Sequence, residues 1–211
     1  MNQYHKIENI YSRDTTTNKL QIGTFRMPEV ELLKDVQWIA TEKVDGTNVR
    51  VMWNGKEITF NGKTDNAQLH KDLITRLQEI FLPQTFLFAE KFGEKQVCLY
   101  GEGYGAGIQT GGCYKKTKDF ILFDVLIDDV WLERGNVEGI AQMLGIEVVP
   151  IVLKGKLTEI IELVTNGLQS TWGDFIAEGI VARPVVELKT RFGDRIITKI
   201  KHRDFSAPSK E

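Results

Sequence analysis

The sequence predicts an α+β fold in which mostly antiparallel sheets carry a few flanking helices. Strand-like apolar runs, such as residues 49–53 and 120–127, recur along the whole chain. They do not alternate regularly with helical patterns, as the βαβ units of a parallel sheet would. A hydrophobic content of 42% in 211 residues is enough for one well-filled core, or for two small lobes.

Local patterns place the elements in chain order. Helical spacing or a proline start predicts helices at residues 28–33, 66–82, 137–144 and 158–164. Apolar runs predict strands at residues 36–40, 49–53, 57–60, 86–89, 97–100, 120–127, 148–152, 178–184 and 195–201. Asp45-Gly46 lies between the first two strands and is typical of a hairpin turn. Residues 101–107 are rich in glycine and are predicted to form a loop, and 205–211 are a polar tail.

Composition restricts the class of protein. The net charge of -2 offers no overall attraction to nucleic acid, so a site for a polyanion must be a local cluster of lysine and arginine. Cys98 and Cys113 cannot build a disulfide framework and lack zinc-ligand spacing. The N-terminus has no signal peptide, and no apolar run reaches membrane-spanning length. We therefore expect a cytoplasmic protein that does not associate with a membrane.

Three lysines are the first candidates for chemistry. Lys199 and Lys201 are two apart in a predicted strand, so both point to one face, whereas Ile200 points to the other. The pair is either a solvated outer surface or part of a site. Lys43, at the end of the first strand, is the candidate nucleophile, because a lysine amine attacks once it is unprotonated. A cation about 5 Å away contributes roughly 3 kcal/mol toward loss of that proton at an effective dielectric near 20.

Two acids and one aromatic residue are further candidates. Glu102 lies among glycines, where a nucleotide can approach the backbone, and it is either a ribose ligand or a surface acid of a flexible loop. Glu178 is either an ion-pair partner of the lysines or a ligand of Mg²⁺ through its waters. Phe123 is either a core residue or a stacking platform for a base.

Taken in order, these residues resemble the motifs of the covalent nucleotidyltransferases, and most closely the ATP-dependent RNA ligases of the RNA ligase 2 type. The resemblance covers nearly the whole chain. Its five motifs match Lys43-Val44-Asp45-Gly46 followed by Thr47-Asn48, Gly101-Glu102-Gly103, residues 120–124, residues 178–181, and Lys199-Ile200-Lys201. Each motif is short, but five in family order are a specific signal.

The resemblance implies a fold, a reaction and a site. The fold would be a nucleotidyltransferase (ATP-grasp-like) domain, here a single adenylyltransferase domain over 1–211. Lys43 would take AMP from ATP with the help of Mg²⁺, pass it to a 5′-phosphate end, and let a 3′-hydroxyl seal the strand. Lys199 and Lys201 would hold the phosphates and tune Lys43, and Glu178 would place the metal. The nucleotide-binding set would comprise Glu42, Asp45, Gly46, Asn48, Lys63, Glu102, Phe123, Glu178, Lys199 and Lys201, with Glu102 on the ribose and Phe123 on the adenine.

Three departures from the family pattern leave alternatives open. Asp45 stands where RNA ligase 2 types carry a histidine, so it is a turn former, an assistant of the leaving group or a metal neighbour. Lys63 stands where arginine is usual. The chain also ends at Glu211 without the family's C-terminal domain or the oligonucleotide-binding barrel of DNA ligases. We therefore expect a monomer acting on RNA ends or a nicked RNA duplex in RNA repair, with an accessory protein as a possible partner. A DNA ligase of minimal size, and a nucleotide- or RNA-end-binding module without turnover, are the alternatives.

Overall fold

The computed structural model describes residues 3–205, and this part of the chain forms two compact units. Unit 1 holds the described residues up to His5 together with Val44–Val149. Unit 2 holds Lys6–Lys43 and the described residues from Pro150 onward. Each unit is therefore built from two separate stretches of sequence.

The elements follow one another in an irregular order. The strands are β1 (Glu8–Asn9), β2 (Tyr11–Arg13), β3 (Leu20–Phe25), β4 (Trp38–Glu42), β5 (Thr47–Trp53), β6 (Ile58–Asn61), β7 (Val97–Tyr104), β8 (Asp119–Ile127), β9 (Val130–Trp131), β10 (Ile151–Gly155), β11 (Gly179–Pro184) and β12 (Thr198–Lys201). The helices are α1 (Pro28–Leu32), α2 (Lys71–Phe81), α3 (Thr85–Phe92), α4 (Arg134–Leu144) and α5 (Leu157–Thr165). Short 3-10 turns occupy Leu82–Gln84, Gly111–Cys113 and His202–Asp204.

Unit 1 is a five-stranded antiparallel sheet in the order β6-β5-β7-β8-β9. Alternate residues of β5, such as Val49 and Val51, face a core that α2, α3 and α4 complete. Leu73, Leu77 and Phe81 of α2 are fully buried in this core, at the spacing of one helix face. The other sheet face carries the polar residues Asn48 and Glu102, which lie opposite each other on β5 and β7.

Unit 2 is a second five-stranded sheet in the order β1-β12-β11-β4-β10, beside the small β2-β3 pair. Its pairings are antiparallel except for β1 with β12. Leu157, Ile160 and Val164 of α5 pack into its core. The buried Trp38 also lies there, and its indole N–H donates to the carbonyl of Leu33 at 2.8 Å. The predicted α+β fold of mostly antiparallel sheets with flanking helices is confirmed.

Two predictions at the level of single elements are wrong. Residues 86–89 are not a strand but part of α3, because Phe88 and Phe92 bury one helix face while Phe86 is 80% exposed. Residues 101–104 are not a loop but the end of β7. The strand predicted at 148–152 is displaced to β10, and the strand predicted at 195–201 is shortened to β12.

The predicted hairpin at Asp45-Gly46 is also wrong. β4 pairs with β10 and β11 in the sheet of unit 2, whereas β5 pairs with β6 and β7 in the sheet of unit 1. Asp45-Gly46 thus joins two sheets. An acid-glycine pair between two apolar runs fits a hairpin turn and a link between two sheets equally well, because the local sequence does not determine which strands pair.

Within residues 3–205, no helix combines the length and the apolar composition that a membrane crossing requires. Cys98 is buried and Cys113 is exposed, and both are free thiols. Most of the predicted polar tail, residues 206–211, lies outside the described part of the chain. The single domain over 1–211 stays a prediction.

Candidate active site

Lys43 follows directly after β4 and takes part in a cluster of charged side chains in unit 2. Its backbone N–H donates to the carbonyl of Gly179 at 3.0 Å. Its Nζ donates to Oε2 of Glu178 at 2.6 Å, and Nζ of Lys201 donates to Oε1 of the same carboxylate at 2.6 Å. The three side chains are only 24%, 14% and 17% exposed, in the order Lys43, Glu178, Lys201. One carboxylate therefore joins two ammonium groups in a partly buried site.

Sheet order explains why residues so distant in sequence meet. β11 lies between β4 and β12, so the end of β4, the start of β11 and the end of β12 reach the same edge of the sheet. Lys199 is paired with Val181, and Lys201 with Gly179. Thr198 and Ile200 are buried while Lys199 and Lys201 are half-buried, as the alternation of a strand requires.

Lys199 belongs to the same cluster. Burial lowers the pKa of its amine, and the neighbouring charges of Lys201 and Lys43 lower it further, whereas Glu8 opposes the shift. Lys43 and Lys201 contact Glu178, and Lys199 interacts with the charges of both lysines and of Glu8, so three cations lie among two carboxylates although the whole chain is slightly acidic. Such a cluster is suited to hold phosphate groups. The structure brings together Lys43, Glu178, Lys199 and Lys201 as the sequence motifs predicted.

Glu42, the residue before Lys43, is 1% exposed and fully engaged. Its carboxylate accepts from Oγ of Ser170 at 2.7 Å, and from N and Oγ1 of Thr171, both at 2.9 Å. Three hydrogen bonds thus fix the 170–171 segment to the end of β4. The family motifs placed Glu42 in the nucleotide-binding set but did not identify Ser170 and Thr171, because nothing in their local sequence points to a partner so far away.

Unit 1 holds the other predicted residues. Oδ1 of Asn48 is buried and has no hydrogen-bond partner among the described residues, and Glu102 lies opposite it on β7. A buried oxygen without a donor is costly, so this acceptor is a candidate contact for a ligand. Gly46 lies so close to β7 that a Cβ there would clash with the Gly103 carbonyl and the Glu102 side chain. Lys63 is exposed in the segment after β6.

The glycines that flank Glu102 are required for packing in the core of unit 1, and not for the approach of a nucleotide that the sequence suggested. A Cβ at Gly101 would enter the ring of Phe120, and one at Gly103 would clash with Leu73. Both positions thus face the core of unit 1, and no space for a nucleotide lies beside them. The missing side chains allow close packing of β7 against Phe120 and Leu73, and Glu102 itself points to the opposite face.

Phe123 lies in an aromatic cluster on the sheet face opposite the helices. Its ring meets that of Tyr4 edge-on at a centroid distance of 5.1 Å, and Tyr4 also contacts Tyr100 and Trp131. The hydroxyl of Tyr4 donates to Oδ2 of the buried Asp124 at 2.8 Å. Phe123 is half-buried. Sequence reasoning missed Tyr4, since a single aromatic residue near the N-terminus has no periodic context.

The sequence model of the RNA ligase family matches residues 36–201. Among solved structures, three variants of the Naegleria gruberi RNA ligase are similar. One solved with ATP and Mn has a TM-score of 0.69 at 18% identity, over 95% of this chain and 58% of the other. A second with ATP and Mn gives 0.66 at 18% identity over 95% and 56%, and one with AMP and Mn gives 0.67 at 18% identity over 84% and 53%.

This chain thus spans little more than half the length of the solved proteins that it matches. At these identities, the structural similarity shows a shared fold.

Proposed function

This chain belongs to the RNA ligase family, and on that premise we propose that it is an ATP-dependent ligase that joins a 5′-phosphate RNA end to a 3′-hydroxyl. The observation that carries the proposal is the contact of Lys43 and Lys201 with the two oxygens of Glu178, with Lys199 in the same cluster. Two lysines that can bind phosphate lie beside the amine of Lys43, which supports a reaction of that amine with a polyphosphate.

In the first step, the unprotonated Nζ of Lys43 attacks the α-phosphorus of ATP. An N–P bond forms, the bond from that phosphorus to the pyrophosphate oxygen breaks, and the nitrogen loses a proton. Next, an oxygen of the RNA 5′-phosphate displaces Lys43 and takes AMP. Finally the 3′-hydroxyl attacks the phosphorus of that 5′-phosphate, and AMP leaves. Lys199 and Lys201 bind the phosphates and offset the charge that develops on them.

The nucleotide roles follow the family motifs. Glu102 binds the ribose and Phe123 stacks on the adenine. Glu42, the neighbour of Lys43 in the chain, fixes the 170–171 segment. Gly46, Asn48 and Lys63 belong to the same nucleotide-binding set. The unpartnered Oδ1 of Asn48 supports a ligand contact at that residue, because a buried acceptor gains most from a donor that arrives with a substrate.

A divalent cation fits the residues present through Glu178. No group of three or more His, Cys, Asp or Glu side chains that could hold a metal occurs in residues 3–205. Mg²⁺ commonly binds through one or two carboxylates together with substrate phosphates, so a lone Glu178 is compatible with it. When bound, Mg²⁺ supplies positive charge to the phosphate oxygens. The Mn in the solved structures of the Naegleria gruberi RNA ligase supports the need for a divalent ion.

The first test is the intact mass of the chain after incubation with ATP and Mg²⁺. We expect a gain of one AMP, and none in Lys43→Ala. Lys154→Ala is the matched control, because Lys154 is an exposed lysine of β10 in the same unit, and we expect it to gain AMP as the wild type does. A folded wild-type chain that gains no AMP would refute the proposal.

The second test is sealing of a nicked duplex, which separates the alternative functions. We expect the chain to seal a nick with RNA ends, including one with a pre-adenylated 5′ end. Equal sealing of an all-DNA nick would favour a DNA ligase. Failure to seal even the pre-adenylated nick would leave a nucleotide- or end-binding module without turnover.

A further inference from the structure

The connection between β11 and β12, residues 185–197, is a hairpin that continues the two strands beyond their paired part in unit 2. Lys189 and Arg195 form an antiparallel bridge within it. The N–H of Ile196 donates to the carbonyl of Leu188 at 2.9 Å. The two sides of the connection are therefore hydrogen-bonded to each other and do not form an open loop.

The end of the hairpin is a closed turn. The N–H of Thr190 donates to the carbonyl of Asp194 at 2.7 Å, and the N–H of Gly193 donates to the carbonyl of Thr190 at 3.0 Å. The N–H of Phe192 donates to Oγ1 of Thr190 at 3.2 Å. Gly193 has a φ of +91°, which glycine adopts at little cost. The backbone that carries Phe192 is thus fixed by local hydrogen bonds.

A buried ion pair holds the base of the hairpin. The side chain of Arg195 is 2% exposed, and its Nε and Nη2 donate to the two oxygens of Glu187, the second at 2.9 Å. Nη1 of Arg183 lies 3.7 Å from Oε2 of the same carboxylate. A bidentate pair of this kind restricts geometry as well as adding energy. The hairpin therefore holds its outermost side chains in a defined arrangement.

Three side chains of the hairpin face solvent and form the hairpin tip: Lys189, Arg191 and Phe192. Phe192 is 76% exposed, and Cζ of Arg191 lies 4.6 Å from the centroid of its ring. Lys189 and Arg191 are exposed, and no carboxylate of the described residues pairs with either. Residues 183–195 contain four cations and two acids, although the whole chain has a net charge of -2. The tip thus joins an open aromatic ring to two cations that have no counter-charge.

We propose that the hairpin tip binds an unpaired stretch of the RNA substrate. Phe192 stacks on a base, and Lys189 and Arg191 contact the phosphates beside it. Every base has a face that can stack, so this contact tolerates any sequence. The inference rests on the proposed function for the identity of the RNA, and it concerns residues outside the adenylation site.

The position of the tip indicates RNA and not ATP as its ligand. Gly179 pairs with Lys201 at the end of β11 and β12 that carries Glu178, and the hairpin leaves from the opposite end of the two strands. Phe192 precedes Lys201 by nine residues, an extended span of about 30 Å at most. A long polyanion can contact both ends of these strands, and its contact at the tip would lie away from the ends that are joined.

A protein partner is the other occupant that an exposed ring would suit. Such a partner would take Phe192 into an apolar pocket as an anchor, and that contact does not need a cation on each side. Two unpaired cations next to the ring, in a chain that is acidic overall, are complementary to a polyanion. The charges therefore favour RNA.

The test measures the affinity of the chain for a single-stranded RNA with a 5′-phosphate, without ATP and at several salt concentrations. Phe192→Ala should weaken binding roughly five- to hundredfold, whereas Phe192→Tyr keeps a ring and should bind as the wild type does. Arg191→Gln should reduce the slope of log affinity against log salt by roughly 0.7, the value for one phosphate of a single strand.

Two variants are matched controls. Phe86→Ala removes another phenylalanine, 80% exposed on α3 of unit 1, and Arg203→Gln removes another exposed arginine of unit 2. Both should keep the affinity and the salt slope of the wild type. All of the substituted side chains are exposed, so we expect every variant to keep the Tm of the wild type.

Three results would overturn the proposal. The first is wild-type affinity in both Phe192→Ala and Arg191→Gln. The second is an equal loss in Phe192→Ala and Phe86→Ala, which would show a general effect of surface apolar area. The third is a loss in Phe192→Ala with an unchanged salt slope in Arg191→Gln and in Lys189→Gln, which would show an apolar contact without phosphates.

The gain of AMP separates this test from that of the proposed function. Phe192→Ala should gain AMP from ATP as fast as the wild type, while its KM for RNA in sealing should rise by the factor lost in affinity. If the wild-type chain binds RNA through the hairpin tip but gains no AMP, the proposed function fails and the RNA-binding surface stands. If the chain gains AMP but its affinity for RNA does not depend on the tip, the proposed function stands and the present proposal fails.

Discussion

Replacing Glu42 by alanine removes the acceptor of three hydrogen bonds at the end of β4. The carboxylate accepts from the Ser170 hydroxyl, the Thr171 N–H and the Thr171 hydroxyl, at 2.7 to 2.9 Å. Ser170 is buried, so its hydroxyl would lose its acceptor in a place that water does not readily reach. Thr171 is exposed, so its two donors can turn to solvent instead.

The magnitude follows from this difference in exposure. A buried donor left without an acceptor costs about 1–3 kcal/mol, and the two solvated donors of Thr171 together add about 1 kcal/mol. The lost packing of the Glu42 stem raises the sum to roughly 3 kcal/mol. For a chain of this size, each kcal/mol lowers Tm by about 2–4 °C, so Glu42→Ala should lower Tm by about 6–12 °C.

The assay is thermal unfolding, with urea unfolding to obtain the free energy. Glu159→Ala is the matched control, because Glu159 is an exposed glutamate that accepts one bond, from the Lys156 N–H at 2.8 Å. We expect that control to lose about 1 kcal/mol or less. A Glu42→Ala variant as stable as Glu159→Ala would refute the reasoning, since it would show that the 170–171 segment does not depend on the carboxylate.

Two further predictions concern Lys199 and Gly101. Burial and then the neighbouring lysines lower the pKa of Lys199 in the folded chain. Below this lowered pKa, the charged amine decreases the stability of the fold. This loss of stability disappears as the pH rises from the lowered pKa to the ordinary value of 10.5. Lys199→Met should therefore raise Tm at pH 7 while it slows adenylation. The Tm difference from wild type should shrink in alkaline solution, and an unchanged or lower Tm at pH 7 would contradict this. Gly101→Ala should lose about 2 kcal/mol or more in urea unfolding, because its Cβ would enter the ring of Phe120. Gly135→Ala, in α4 with open space around its Cβ, is the control and should be neutral or stabilising, so equal losses in both would refute the packing argument.

Much of the candidate site could be predicted because short sequence motifs identify its charged residues. Lys43, Glu178, Lys199 and Lys201 were selected from local sequence and motif order, and unit 2 brings them together. The common face of Lys199 and Lys201 follows from strand alternation alone. Helices with a clear apolar period, α2 and α4, were likewise predicted. Their C-terminal ends agree to within one residue, whereas their starts differ by five and three residues.

Other features depended on pairings that no local pattern contains. Asp45-Gly46 has the signal of a hairpin in either arrangement, and only the sheet order shows that it joins two sheets. Residues 86–89 are apolar enough to form a strand. They form part of a helix because Phe88 and Phe92, four residues apart, are buried on the same helix face. Gly101 was interpreted as space for a nucleotide, whereas its neighbour in the fold is the ring of Phe120.

The sequence by itself determined which residues carry charge, which face of a strand they share and in what order the motifs occur. Only the tertiary structure decided the partners. Ser170 lies 128 residues from Glu42, and Thr110 lies 65 residues from Asp45, yet each pair shares a hydrogen bond. The physical reason is that propensity and periodicity act over a few residues, whereas hydrogen-bond partners are set by how buried surfaces pack between strands that are distant in the chain.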